Sequence, residues 1–196
     1  MQLKVLPASP QRWSDVEAVF AARGCSQARS CWCMYYRQSG AGPTPSEGQT
    51  EAECNRGALK ALIEAGCAPG LIAYLDALPV GWVSLGPREE FTRLARSPVM
   101  KPVDELPVWS IVCFVVAAEY RGRGVARGLL AGAIHYARSR GAPWLEAYPV
   151  DKPGPCADDS LWFGSASMYL RAGLIEVARR KPERPVLRLR LAGAKS

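Results

Sequence analysis

The sequence predicts a single α/β domain, a mixed and mostly antiparallel central sheet flanked by helices. Three observations predict it. A chain of 196 residues with 48% apolar content can bury one sizeable core. Its apolar spacing switches repeatedly between strand and helix periods, giving the order β-αα-ββ-β-α-β-α-ββ. Finally, the almost wholly apolar run Val108 to Val116 leads into a glycine-rich turn and a helix, as a strand buried on both faces would. One domain is expected over 1–196, with an N-terminal part (1–70) and a core (71–191).

Each element has its own reason. Leu3 to Leu6 reads as a short strand. Ser14-Asp15-Val16-Glu17 has the form of a capping box, opening a helix that ends near Gly24. Cys25 to Gln38 lacks clear periodicity, and Ser39 to Gly48 is a loop by composition. A second helix is expected from about Thr50 to Ala65, with Ala58, Leu59, Leu62 and Ile63 on one side and Gly66 as its stop. Leu71–Leu75 and Val80–Leu85 read as strands joined tightly through Asp76 to Pro79. A charged, partly helical excursion from Pro87 to Pro107 precedes the buried strand. The helix after the glycine turn should end at Gly141, Trp144 to Val150 is another strand, and a loop rich in Pro, Gly and Asp follows. Ser165 to Leu174 holds a short helix, and strands near Ile175–Arg180 and Val186–Leu191 close the chain.

Composition excludes several classes. The longest apolar run, Ile111 to Ala118, is too short to cross a bilayer, and the first residues carry no signal-peptide stretch. A cytoplasmic protein is expected, whose seven cysteines, odd in number and irregular in spacing, stay reduced. The net charge of +7 is concentrated: between Arg179 and Ser196 seven basic residues face one acid, Glu183. Such a segment can bind nucleic acid, but Leu187, Leu189 and Leu191 alternate with Arg188 and Arg190, the pattern of a strand with one face in water. Nucleic acid is therefore not the expected partner.

The most informative segment is Arg121-Gly122-Arg123-Gly124-Val125-Ala126, between the buried strand and its helix. Helix starts carry unpaired N–H groups and partial positive charge, so they bind phosphates. Glycines let a ligand approach those amides, and Arg121 and Arg123 add charge at the rim. Pyrophosphate is the natural guest. A P-loop would need Gly-Lys-Ser/Thr, which is absent. A dinucleotide fingerprint would need its third glycine at Arg127, although Glu146 does lie about twenty residues on, as that motif would ask.

The run Val116 to Ala126 resembles the acetyl-CoA signature of the GNAT superfamily of N-acetyltransferases, [Arg/Gln]-x-x-Gly-x-[Gly/Ala], with Arg121, Gly124 and Ala126 at its fixed positions. A second block, Tyr169-Leu170-Arg171-Ala172-Gly173-Leu174, is similar to the family's Tyr-x-x-x-Gly-Phe ending, with Leu174 in place of Phe. The resemblance covers about Leu71 to Leu191. It implies two parallel strands, Val108–Val116 and Trp144–Val150, splayed around the pantetheine arm of acetyl-CoA. The backbone of Phe114 and Val116 would bond the thioester carbonyl and pantetheine amides, and amides from Arg121 through Gly122, Arg123, Gly124 and Val125 to Ala126 would cradle the pyrophosphate. Residues 1–70 would shape the acceptor pocket. The implied partners are acetyl-CoA and an amine, with no metal. GNAT domains often pair, which leaves a homodimer open.

An amine with a pKa near 10 must lose a proton before it attacks, at about 4 kcal/mol at pH 7. Glu146, on the strand beside the gap, is the first candidate base; Asp151 and a water chain are others, and pairing with a nearby arginine is the alternative role for Glu146. Tyr169 matches the family's tyrosine that can protonate the departing thiolate. That transfer is uphill by about 2 kcal/mol for untuned groups, so Tyr169 could instead position the sulfur. The single histidine, His135, lies mid-helix and suggests no triad, and Cys113, in the buried strand, reads as inert core.

One segment stays open. Cys31-Trp32-Cys33-Met34-Tyr35-Tyr36-Arg37, with Cys25 upstream, could be a metal site, a redox centre or a pocket wall. Cys-x-Cys is awkward as a zinc knuckle, and no Cys-x-x-Cys is present. Trp32, Tyr35 and Tyr36 would suit an aromatic wall for a cationic amine, against the alternative of core packing. The reading is N-acetyl transfer from acetyl-CoA to a primary amine by direct attack in a ternary complex. The alternative is a non-catalytic acyl-CoA-binding or nucleic-acid-binding module on the same fold.

Overall fold

In the computed structural model, which describes residues 2–40, 42, 45–152 and 162–191, seven strands form one sheet. They are β1 (Leu3–Pro7), β2 (Gly70–Leu75), β3 (Leu78–Pro87), β4 (Val108–Val116), β5 (Trp144–Ala147), β6 (Ile175–Lys181) and β7 (Arg184–Arg190). The order across the sheet is β1-β2-β3-β4-β5-β7-β6. Only β4 and β5 run parallel. The mixed, mostly antiparallel sheet is thus as expected. The stretch 153–161, read as a loop, residues 41, 43 and 44 of the earlier loop, and Lys195 and Ser196 of the basic segment lie outside the described residues.

The helices are α1 (Trp13–Ala21), α2 (Ser26–Cys31), α3 (Glu51–Glu64), α4 (Val125–Ser139) and α5 (Ala166–Arg171). One face of the sheet is covered by α4 and α5, through Leu129, Leu130, Ala133 and Tyr169 against Val83, Ile111, Leu145 and Leu187. Close approach sets the position of α4: a Cβ on Gly128 would meet Leu3 at 2.0 Å, and one on Gly132 would meet Val5 at 2.5 Å. On the other face α1, α2 and α3 lie over Ile72, Trp82 and Val115, while the excursion after β3 packs Phe91, Leu94 and Met100 against Val112, Tyr148 and Val186. No helix among the described residues is long and apolar enough to cross a membrane.

Three local expectations need correction. The capping box is made at α3, not α1: Thr50 Oγ1 accepts from the Glu53 N–H at 3.2 Å and Glu53 Oε2 accepts from the Thr50 N–H at 2.7 Å. At α1 the chain is already helical at Trp13, which places Ser14 inside the helix, and Glu17 pairs with Arg56 of α3 instead. The apparently aperiodic segment after Gly24 contains α2, stopped by two successive left-handed residues, Trp32 (φ 45°) and Cys33 (φ 54°). Lastly, Arg188 does not face water: its side chain is 4% exposed and paired with Glu146 and Asp104.

A bulge positions the site. β3 pairs Ser84 with Cys113 but Leu85 with Ile111, so Val112 is an extra residue in β4. Such insertions bend a strand and raise its twist. β4 is paired with β5 only from Val108 to Ile111, and its remaining residues leave β5 behind. A gap opens there.

Candidate active site

The gap is the floor of a cavity of about 730 Å³. It runs from the glycine turn and the start of α4, along Val112 to Val116, to Cys31, Cys33, Tyr35 and Tyr36 on the other face of the sheet. Both ends follow from the sequence. At one end Gly122 (φ 72°) and Gly124 (φ 81°) take left-handed backbone angles that other residues reach only at about 1–2 kcal/mol. The first bond of α4 runs from the Gly128 N–H to the Gly124 carbonyl at 2.9 Å. The amides of Val125, Ala126 and Arg127 precede it and have no intrahelical acceptor, so they form the positive end of a fifteen-residue helix.

Arg121 lines this end and braces it. Its Nε donates to the Val116 carbonyl at 3.2 Å and its Nη2 to the Gly24 carbonyl at 2.6 Å, which ties the turn to the chain before α2. Arg123 lies over the Tyr120 ring, 5.6 Å from its centroid. Arg127 and Arg171, not anticipated from sequence, also line the cavity. The end is therefore cationic, with backbone donors at its centre.

Along the gap the even residues of β4 turn their backbone away from β3. The Ala117 N–H bonds Val80 across the β3 side, whereas the Phe114 N–H donates to the Trp162 carbonyl at 2.6 Å and the Val116 carbonyl faces Arg121. Phe114 and Val116 thus present their backbone where the sequence reading put them, with the Phe114 donor held by Trp162.

The two residues expected to do acid–base work lie outside the cavity lining. Glu146 is fully buried on β5, opposite Arg188 of β7 in the ladder. Its Oε2 accepts from Arg188 Nη2 at 2.6 Å and Nε at 3.0 Å, and its Oε1 from Arg88 at 3.2 Å and the Tyr148 hydroxyl at 2.8 Å. Asp104 completes the cluster at 2.7 Å from Arg188, whose hydrogen bond holds the Asp104 carboxyl below its ordinary range. All this carboxylate's near partners are structural, the pairing with arginine that was the alternative to catalysis. Asp151 is similarly engaged, with Arg179 at 2.8 Å.

Tyr169 is fully buried against Phe114, ring centroids 6.2 Å apart. Its hydroxyl donates to the Phe163 carbonyl at 2.9 Å. Burial, and secondarily Cys113, push its phenol well above the ordinary value. It holds the segment carrying Trp162 in place.

The aromatic wall is smaller than expected. Trp32 is 6% exposed and stacks between Phe20 (4.7 Å) and Trp13 (5.9 Å), so it is core. Tyr35 and Tyr36 do line the cavity, set edge to face at 5.0 Å. One face of the Tyr35 ring is covered by the Arg93 guanidinium at 4.0 Å. Cys113 is not sealed in the core but reaches the cavity beside Cys31 and Cys33. Its signal was present in the strand alternation, where Cys113 and Val115 share the face under α1 and α2. No group of three or more His, Cys, Asp or Glu side chains among the described residues is placed to hold a metal ion. His135 lies exposed on α4.

The architecture has many counterparts. A ribosomal-protein-alanine N-acetyltransferase from Brucella melitensis superposes with a TM-score of 0.53 at 19% identity, over 97% of this chain and 100% of that one. The polyamine N-acetyltransferase of Drosophila melanogaster gives 0.54 at 13% identity, over 97% and 100%. The PaiA N-acetyltransferase from Thermoplasma acidophilum, solved in complex with coenzyme A, gives 0.51 at 13%, over 97% and 99%. At these identities the likeness is one of fold. No curated protein sequence matches. The sequence itself matches the model of the acetyltransferase (GNAT) family over residues 32–153, well over half its length. With that match added to the splayed strands and the turn before α4, the chain belongs to the GNAT acetyltransferase family.

Proposed function

We propose that this protein transfers the acetyl group of acetyl-CoA to a primary amine by direct attack within a ternary complex. The observation that carries the proposal is the gap: β4 continues past its last pairing with β5 at Ile111, its even backbone groups face a cavity, and that cavity ends at the start of α4. The fit to coenzyme A rests on this chain's own groups. The amides of Gly124 to Arg127 and the guanidinium groups of Arg127 and Arg171 suit a pyrophosphate, and the hydrogen-free approach at Gly122 and Gly124 leaves room for it. The pantetheine arm would lie along Phe114 and Val116 and take over the Phe114 N–H from the Trp162 carbonyl. Donors fixed on a packed strand can then stabilise the oxyanion as it forms.

A nucleic-acid role finds less support. The arginines of the C-terminal strands are engaged within the protein: Arg179 with Glu176 and Asp151, Arg180 with the carbonyls of Val99, Lys101 and Pro102, and Arg188 with Glu146 and Asp104.

Calorimetric titration with acetyl-CoA, followed by thiol-release assays across a panel of amines, tests the proposal. Saturable binding in the range of roughly 1 µM to 1 mM and release of CoA with at least one amine are expected. Absence of binding overturns it.

Tyr169→Phe separates two roles. The Phe163 carbonyl would be left without its buried donor, at about 1–3 kcal/mol, or roughly 2–12 °C in Tm. If the hydroxyl also serves the leaving sulfur, kcat falls on the order of 100-fold. A variant with lowered Tm and unchanged kcat assigns Tyr169 to the support of the Trp162 segment alone.

A further inference from the structure

The cavity that would hold the acceptor contains no aspartate, glutamate or histidine among the described residues. The titratable side chains along it are arginines, phenols and thiols. A guanidinium cannot accept a proton at any working pH. The phenol of Tyr36, pushed up to about 12 by burial, is neutral and cannot take one from an ammonium ion. That leaves sulfur.

Three thiols meet at the acceptor end. Cys31 closes α2, and the left-handed pair Trp32 and Cys33 folds the chain back on itself. The fold-back brings the Cys33 thiol into hydrogen-bonding contact with Cys31 on one side and with Cys113 of β4 on the other. Cys113 precedes Phe114, whose backbone faces the gap, and all three sulfurs line the same cavity. Two successive non-glycine residues at positive φ are costly, and such strain gathers at functional sites.

We propose that Cys31, as its thiolate, is the base that removes the proton from the acceptor amine, with Cys33 and Cys113 as the positioning residues that hold it. This inference rests on the acetyl-transfer reading. The balance closes without another reactant. The Cys31 thiolate takes one proton from R–NH3⁺, giving Cys31–SH and R–NH2. The nitrogen lone pair then forms the C–N bond at the thioester carbonyl, and the C–S bond breaks with its electron pair on coenzyme A. A second proton passes from the acylated nitrogen to the CoA thiolate, and Cys31–SH returns its proton to water.

The surroundings favour the charge. The hydrogen bond from Cys33 outweighs burial and lowers the Cys31 thiol to about 7, so a large share is thiolate at neutral pH, while Cys33 itself is pushed up by its contacts with Cys113 and Cys31. Around Cys31 the titratable neighbours are Cys33 on its own turn, Tyr36 beyond it, and Cys113 from β4 acting through Cys33. α3 presents the neutral Asn55, bonded to the Ser30 carbonyl at 3.0 Å, and α1 presents Trp13 and Phe20, stacked on Trp32.

The test compares the wild-type protein with Cys31→Ser and Cys31→Ala, using an amine that the wild type acetylates. In wild type, kcat/KM should fall tenfold per pH unit below about 7, as the thiolate is protonated. Both variants should lose that limb and about 100- to 10,000-fold in kcat/KM at pH 7.5, with acetyl-CoA affinity within about threefold of wild type. Thiolate ultraviolet absorbance should titrate near 7 in wild type, and that step should vanish in the variants. Variants that keep rate and acid limb, or a thiolate step unaltered by them, overturn the assignment to Cys31. Failure of wild type to bind acetyl-CoA is a separate result and overturns the transfer reading instead. Melting curves and retained acetyl-CoA binding exclude misfolding as the cause of a lost rate.

Discussion

Gly124→Glu is expected to weaken acetyl-CoA binding by at least about 100-fold while leaving the protein folded. Gly124 sits at φ 81° immediately before α4, where a side chain costs about 1–2 kcal/mol in backbone strain. A Cβ there would meet only the end of the Arg127 side chain, at 3.3 Å, which can swing aside. Strain alone is thus a modest effect. The added carboxylate is the larger one, because it occupies the positive end of the helix, where the pyrophosphate would sit. Two like charges about 5 Å apart repel by roughly 3 kcal/mol at an effective dielectric of about 20, and a factor of 100 corresponds to about 2.7 kcal/mol. Gly124→Ala is the control, since it carries the strain without the charge and should lose less than about tenfold. Calorimetric titration beside a melting curve reads both quantities. If the Glu variant binds acetyl-CoA as wild type does, the turn before α4 is not the phosphate cradle.

The parts of this site that the sequence disclosed are those fixed by local chemistry. The strand Val108–Val116 was legible because every position is apolar, and the turn because glycines before a helix have few other uses. The capping box shows the limit of local reasoning. Ser14-x-x-Glu17 and Thr50-x-x-Glu53 have the same form, and only the second caps, because Glu17 finds Arg56 across α1 and α3 while the chain is already helical at Trp13.

Functional side chains were harder to place, since their roles depend on which strand lies opposite. Glu146 and Arg188 are forty-two positions apart, and the antiparallel register of β5 and β7 makes them neighbours. Alternation in Leu187 to Leu191 correctly gives one apolar face, but not that the other lies under the excursion before β4. Trp32 and Tyr36 likewise differ only in where a left-handed turn aims them, and that turn contains no glycine to announce it. The cysteines around it were visible as a motif, yet their meeting with Cys113 depends on the Val112 bulge and on the fold-back at Trp32 and Cys33.

Replacing Glu146 separates a structural carboxylate from a catalytic one. Glu146→Ala should lower stability by about 3–5 kcal/mol, or roughly 6–20 °C in Tm, because it strands the buried Arg188 charge with Asp104 as its remaining acid. Glu146→Gln keeps the volume and one acceptor oxygen and should be intermediate. A catalytic base would behave differently: the Gln variant would melt near wild type and lose its turnover. The expected result is the reverse, with Tm reduced and kcat for the folded fraction within a few fold of wild type. A third variant tests the cause of the instability. Glu146→Leu combined with Arg188→Met removes both charges, and pairs exchanged together for apolar residues are often close to neutral. Asp104 is 39% exposed and can turn to water, and Arg88 keeps the carbonyls of Asp104 and Leu106 as acceptors. The double variant should therefore be more stable than Glu146→Ala. If it is less stable, the cluster holds β5, β7 and the excursion together by net attraction rather than by avoiding an unpaired charge.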